Sequence, residues 1–207
     1  MTTKESEMAL LRAEALETLS PTLSADQHQV VFGGGDPAAR LVLVGEAPGP
    51  QEDKQGIPFV GRSGQYLEQA LQQLGLRRET LWISNVVKVW PTTRSGKSLR
   101  TRPPNAAERR ASWEFFQREM ALVDPVAILC LGGTAAKQLI GPSFKITQER
   151  GEWRTGPHQI PTLATYHPSY LLRMEGMRPE EAERMAAEFL SDLRRAAQRA
   201  GLVSEMR

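Results

Sequence analysis

Residues 41–49 read Leu-Val-Leu-Val-Gly-Glu-Ala-Pro-Gly, an unbroken apolar run followed at once by turn-forming residues. Two of the four residues from Leu41 to Val44 are β-branched and none is polar, a pattern typical of a strand buried on both faces. Strands of this kind belong to parallel sheets that helices cover on both sides. The glycines and prolines from Gly45 to Gly64 predict a loop at the carboxyl end of the strand.

Three further apolar runs resemble this strand, and helical spacing occupies the segments between the runs. The runs cover residues 81–87, 126–131 and 160–165. Apolar residues at helical intervals predict helices at residues 6–19, 67–74, 106–123, 134–140 and 179–199. Alternation of strands and helices favours a parallel sheet between helical layers. We therefore expect an α/β fold: one three-layer αβα domain over residues 1–207, with a central, mostly parallel four-stranded sheet.

The bulk composition narrows the classes of protein. The chain has 207 residues, a net charge of +2 and one cysteine, Cys130. So small a charge predicts that any nucleic-acid footprint is local. One cysteine forms neither an intramolecular disulfide nor a cysteine-rich metal site, and Cys130 lies in an apolar run typical of the core. No apolar run reaches membrane length and no signal peptide is evident, so we expect a cytoplasmic monomer with no membrane partner.

Three loops at predicted carboxyl ends of strands carry the residues suited to chemistry. They are the segment 45–61, the pair Ser84-Asn85 and the segment 166–173. Taken singly, each has a structural explanation: glycine and proline form turns, Phe59 packs in a core and His167 caps a helix. Taken together, they bring a glycine-rich backbone, an aromatic ring, an amide and an imidazole to one edge of one sheet. This convergence favours a binding or catalytic site.

These loops also resemble the motifs of a known family. Gly45-Glu46-Ala47-Pro48-Gly49, continued by Glu52-Asp53 and by Pro58-Phe59-Val60-Gly61, resembles the first motif of family 4 uracil-DNA glycosylases. His167-Pro168-Ser169-Tyr170-Leu171-Leu172-Arg173 resembles the second motif. The resemblance implies a base-excision repair enzyme. It would flip uracil out of single- or double-stranded DNA, hydrolyse the N-glycosidic bond and release free uracil.

The resemblance also implies roles for individual residues. The backbone of Gly45, Glu46 and Ala47 lines the base pocket, Phe59 stacks on uracil and Asn85 reads its edge. His167 stabilises the leaving base, Glu46 is the candidate that orients or activates water, and Glu52 fills the space of thymine's methyl group. Leu171 resembles the wedge that enters the vacated base stack, while Lys88 and Arg173 are candidate phosphate contacts.

The sequence departs from the family in two places. Family members hold an iron–sulfur cluster through four cysteines, and the corresponding positions here are Thr18, Pro21, Val89 and Ser112. Cluster ligation needs thiolates, so we expect no cofactor and no metal. We hypothesise that apolar packing around Val89 and hydrogen bonding at Ser112 replace the cluster. The loop between Val89 and Ser112 is longer than in the family and contains the basic stretch 92–104. It is either a solvated, disordered loop, a phosphate contact or a packing replacement for the cluster.

Other functions remain open at this point. A non-catalytic DNA-binding relative would fit the missing cysteines, and a glycosylase for hypoxanthine or xanthine would differ only in pocket width. A nucleotide-binding enzyme is disfavoured, because the glycine-rich loop has neither the Lys-Ser/Thr ending of a P-loop nor the Gly-x-Gly-x-x-Gly pattern of a dinucleotide site.

Overall fold

A computed structural model of the chain describes residues 3–204 and is built around one six-stranded sheet. Residues 1–2 and 205–207 of the domain expected over 1–207 lie outside that range. The strands are β1 (Gly34–Gly35), β2 (Leu41–Gly45), β3 (Trp82–Asn85), β4 (Thr92–Ser95), β5 (Ser98–Thr101), β6 (Ala127–Leu131), β7 (Arg154–Thr155) and β8 (Pro161–Thr165). The helices are α1 (Thr3–Leu19), α2 (Pro50–Gln55), α3 (Arg62–Gln73), α4 (Ala106–Val123), α5 (Gly133–Leu139), α6 (Ile146–Glu149), α7 (Pro168–Met177) and α8 (Pro179–Arg199).

The sheet has the order β1-β3-β2-β6-β8-β7, and its four inner strands are parallel. These are the four strands that the apolar runs predict. Two-residue antiparallel strands, β1 and β7, extend the sheet at its edges. Elements this short have no periodicity, which is why the sequence predicts four strands rather than six.

Alternate residues of β2 face two different cores, as expected for a strand buried on both sides. Leu41 and Leu43 pack with α3, α7 and α8. Val42 and Val44 pack with α1, α4 and α5. The sheet therefore lies between two helical layers, and the expected three-layer αβα architecture is confirmed.

The inner strands end together at one edge of the sheet. Gly45 at the end of β2 is aligned with Asn85 at the end of β3, and Leu131 of β6 is aligned with Thr165 of β8. The loops that follow these strands therefore start side by side, which is where open α/β sheets place their ligands.

The basic loop is ordered as a hairpin in this structure. β4 and β5 pair with each other and form a separate two-stranded sheet. Residues 92–101 therefore form a paired hairpin rather than an irregular loop. Between Thr3 and Ser204, no helix is both long and apolar enough to cross a membrane.

Candidate active site

A cleft of about 310 Å³ opens at the carboxyl edge of the parallel strands. The residues that line it come from each of the three motif loops and include Glu46, Ala47, Glu52, Phe59, Asn85 and His167. Gly45 lies directly beneath. A Cβ atom there would come within 2.4 Å of the Asn85 Oδ1 and 2.6 Å of the Phe59 Cζ. All seven predicted substrate-binding residues therefore lie together, and only glycine fits at position 45.

Phe59 sits in this cleft with an unusual backbone conformation. Its φ angle is 54°, in the left-handed region that is strained for a bulky residue. Arg78 holds this conformation from outside the motif, because its Nη1 donates to the Phe59 carbonyl at 3.0 Å and its Nη2 to the Pro58 carbonyl at 2.7 Å. A Cβ atom at Gly64, in α3, would lie 1.9 Å from the Phe59 carbonyl oxygen. Glycine at this position therefore allows α3 to pack closely against the Phe59 turn.

Asn85 offers an unsatisfied amide to the cleft. Its side chain is 2% exposed, and within residues 3–204 its amide group forms no hydrogen bond to the protein. Because Asn85 lines the cleft, the donor and the acceptor of this amide are available to a ligand. The arrangement therefore suits recognition of a ligand that has both a donor and an acceptor.

His167 is the N-cap of α7, and its tautomer follows from its contacts. Its Nδ1 accepts a hydrogen bond from the Ser169 backbone N–H at 3.1 Å and lies 2.7 Å from the Ser169 Oγ. Nδ1 therefore carries no proton, and the neutral ring carries its proton on Nε2. Burial lowers the pKa of His167 to about 4, although the Glu52 carboxylate opposes the shift. The ring centroids of His167 and Phe59 are 6.0 Å apart.

Glu52 is fixed by the backbone around it. Its carboxylate is 8% exposed and accepts hydrogen bonds from the N–H groups of Gly49, Val60 and Gly61 at 3.1, 2.9 and 2.8 Å. Three backbone donors compensate for the burial of the charge. The neighbouring Asp53 is fully buried and binds the backbone N–H and Nδ1 of His28 instead, so of the two acids only Glu52 lines the cleft.

Glu46 lies half-buried at the border between this cleft and a smaller cavity next to α5. Burial raises the pKa of its carboxyl group, and a hydrogen bond from Thr134 and the charge of Arg109 oppose that shift. A carboxylate with a raised pKa is a better proton acceptor at neutral pH than an exposed one.

Lys88 does not reach the surface, so its prediction as a phosphate contact is wrong. Its side chain is 0% exposed. The Nζ donates to the Glu119 carboxylate at 2.5 Å, to the Ser84 Oγ at 2.7 Å and to the Asn85 carbonyl at 2.9 Å. Two aromatic rings, with centroids 5.2 and 5.4 Å from the Nζ, complete its surroundings. Lys88 is thus a buried support beneath Asn85.

Leu171 is also buried, at 1% exposed, in the core shared by α3, α7 and α8. The prediction that Leu171 is the DNA wedge is therefore wrong, because a wedge must project from the surface. Arg173, on the same helix, is exposed and lies 5.3 Å from the ring of Tyr170. Its contact with phosphate stays a prediction.

The donor set at the family's cluster position does not fit an iron–sulfur cluster. None of the aligned positions carries a thiol. The single thiol, that of Cys130, lies at 0% exposure inside β6, and burial raises its pKa, which disfavours the thiolate that a cluster needs.

Other contacts occupy part of the same region. Val89 is 5% exposed and packs in the core, and the Ser112 Oγ accepts a hydrogen bond from the Lys88 backbone N–H at 3.0 Å. Both hypothesised contacts, the packing around Val89 and the hydrogen bond at Ser112, are present. A groove of about 350 Å³ opens beside them, between the end of α1 and the start of α4. Packing therefore replaces the cluster in part only.

Comparison with known proteins supports the motif resemblance over most of the chain. The model of the Uracil DNA glycosylase superfamily matches residues 32–194. The chain is 37% identical over 177 residues to a Type-4 uracil-DNA glycosylase of Thermotoga maritima, a match covering 84% of this chain and 87% of that protein. It is 34% identical over 170 residues to a Type-4 uracil-DNA glycosylase of Pyrobaculum aerophilum, covering 79% and 83%. A Type-5 uracil-DNA glycosylase of Thermus thermophilus is 29% identical over 150 residues, covering 67% and 68%.

Proposed function

This chain belongs to the uracil-DNA glycosylase superfamily, and on that premise we propose that it is a DNA repair enzyme that removes uracil from DNA. The reaction hydrolyses the N-glycosidic bond and releases free uracil. The observation that carries the proposal is that one cleft at the carboxyl edge of the sheet holds Phe59, Asn85 and His167 together. These residues supply an aromatic face, an unpaired amide and a neutral imidazole.

Recognition begins with the base outside the helix, because the sugar–base bond is inaccessible within a duplex. The ring of Phe59 stacks on the flipped uracil. The Asn85 oxygen accepts from uracil N3–H and its nitrogen donates to O4, whereas cytosine presents the opposite pattern. The three backbone donors that hold Glu52 keep its carboxylate rigid, so that it excludes the methyl group of thymine.

Bond cleavage places negative charge on the leaving uracil and positive charge on the sugar. The C1′–N1 electron pair leaves with the base, and His167 donates from Nε2 to uracil O2, where charge accumulates. Its lowered pKa keeps this donor neutral at pH 7. A water molecule adds to C1′, and Glu46 takes its proton before the released uracil is protonated. The raised pKa of Glu46 supports this role.

The test is base release from uracil-containing oligonucleotides, single- and double-stranded, with a metal chelator present. We expect the wild-type protein to release uracil and His167→Ala to lose that activity. His158→Asn is the matched control, because it alters a histidine remote from the cleft whose φ of 53° suits asparagine. Release of hypoxanthine or xanthine, and not of uracil, would show that another deaminated base is the substrate. DNA binding by folded protein without release of any base would favour the non-catalytic relative.

A further inference from the structure

The hairpin formed by β4 and β5, which we call the basic hairpin (Thr92–Thr101), concentrates the positive charge of the chain. Between Val89 and Glu108 there are four cations and no acidic residue: Arg94, Lys97, Arg100 and Arg102. Because the net charge of the whole chain is +2, the remaining residues sum to −2. The segment between Val89 and Glu108 therefore accounts for the net positive charge, and three of its four cations lie within the basic hairpin itself.

The root of the basic hairpin is firmly attached to the protein. The Arg102 guanidinium forms paired hydrogen bonds with the Glu108 carboxylate at 2.7 and 2.6 Å, next to the N-terminus of α4. The Trp90 Nε1 donates to the Thr101 Oγ1 at 2.9 Å, and the Arg102 N–H donates to the Pro91 carbonyl at 3.0 Å. A fixed root means that the cations of the hairpin keep a defined position relative to the cleft.

The same root forms part of the wall of the cleft. Pro91, Thr101, Arg102 and Pro104 line it together with Phe59, Asn85 and His167. The basic hairpin therefore projects from the border of the cleft that would receive a nucleotide from DNA.

The two faces of the hairpin differ in chemistry. Cross-strand partners share a face, so Arg94, paired with Leu99, lies on the same side as Thr101, paired with Thr92. This face contacts the protein body, since Arg94 pairs with Asp26 and Thr101 with Trp90.

The opposite face carries Thr93, Ser95, Ser98 and Arg100, all of them exposed, with Lys97 at the adjoining turn. Within residues 3–204, no carboxylate pairs with Lys97 or Arg100. Lysine, arginine, serine and threonine are among the side chains that proteins use to contact DNA phosphates.

We propose that this outward face of the basic hairpin binds phosphates of the DNA strand whose nucleotide enters the cleft. The proposal rests on the proposed function, because the cleft gives the face its partner. It assigns phosphate binding to an element outside all three motif loops, with Lys97 and Arg100 as the charged contacts.

The experiment compares Lys97→Ser/Arg100→Ser with a control, Arg12→Ala/Arg184→Ala, which removes the same charge from exposed positions on α1 and α8. Binding to a single-stranded oligonucleotide without uracil is followed by fluorescence anisotropy between 50 and 200 mM salt. Loss of two phosphate contacts should make the negative slope of log K against log salt shallower by about 1.4. It should also weaken binding at 0.1 M salt about 25-fold. The control should keep the wild-type slope.

Uracil release provides the second measurement. We expect the hairpin variant to raise KM while kcat stays near that of the wild type, because these cations do not touch the base. An unchanged salt slope in the hairpin variant, or an equal drop in the control, would overturn the proposal. If the wild-type protein releases no uracil, the proposed function fails separately, and the binding slopes still decide whether the hairpin contacts phosphate.

Discussion

The buried pair of Lys88 and Glu119 leads to a sharp prediction about stability. Both side chains are 0% exposed and their charged atoms are 2.5 Å apart. Glu119 also accepts hydrogen bonds from the Trp82 Nε1 at 2.8 Å and the Ser84 Oγ at 2.9 Å. Desolvation lowers the pKa of Lys88 and the Glu119 charge opposes that shift, so the ammonium depends on its partner.

Lys88→Met keeps the length of the side chain but leaves the Glu119 carboxylate buried without a cation. Breaking such a pair on one side costs about 3–5 kcal/mol in the free energy of unfolding. For a domain of this size, that corresponds to a fall of roughly 6–20 °C in Tm.

The double variant Lys88→Met/Glu119→Gln removes both charges together and should regain most of the lost stability. The glutamine oxygen still accepts from Trp82 and Ser84, and replacing a buried pair by neutral groups is often close to neutral.

The assay is thermal and urea denaturation of the wild type, both single variants and the double variant, analysed as a double-mutant cycle. A coupling energy above about 2 kcal/mol is expected for an uncompensated buried charge. Additive losses, or a cost below about 1 kcal/mol for Lys88→Met, would refute the account. Because the Lys88 Nζ also donates to the Asn85 carbonyl, the folded double variant should lose about fivefold in kcat/KM for uracil, the value of one hydrogen bond.

Three further predictions concern the cleft. Arg78→Ala should raise KM in base-release kinetics, with partial rescue by Arg78→Lys, because two hydrogen bonds that hold the strained Phe59 turn disappear; an unchanged KM would exclude this positioning role. His167 should titrate near pH 4 by NMR. Because its pKa is lower in the folded than in the unfolded state, the stabilisation that neutral His167 provides is lost as pH decreases from about 6.5 to 4. His167→Asn should remove this pH-dependent part of the free energy of unfolding. A titration midpoint near 6.5 would contradict the burial of the ring. Asn85→Leu should reduce kcat/KM for uracil release about 100-fold, from two hydrogen bonds of about 1–1.5 kcal/mol each, while DNA binding persists.

The sequence predicts those parts of the molecule whose cause is local. The apolar run from Leu41 to Val44 predicts a strand buried on both faces, and the position of Gly45, Asn85 and His167 after strands predicts their meeting. The basic hairpin also has a local signal in the sequence. Gly96 and Lys97 form a two-residue turn between Ser95 and Ser98, and glycine at the first position favours such a hairpin.

The remaining features depend on residues far apart in the chain. Lysine is usually exposed, and nothing near Lys88 reveals that Glu119, 31 residues later, neutralises it. Arg78 acts on carbonyls 19 and 20 residues earlier, so no spacing rule identifies it. The prediction of Leu171 as a wedge failed for a different reason, because it rested on motif resemblance rather than on helical spacing. The helical spacing of Leu171 and Met174 places both on the buried face of α7.

The single cysteine has a consequence for the chemical resilience of the protein. Oxidants and alkylating reagents attack thiolates, and Cys130 lies at 0% exposure with a raised thiol pKa. The region that family members brace with cluster cysteines is held here by the Val89 side chain and a serine hydrogen bond, neither of which changes with redox state. These two contacts require neither bound iron nor a reduced thiol, so we expect oxidants that damage DNA to leave them chemically unchanged.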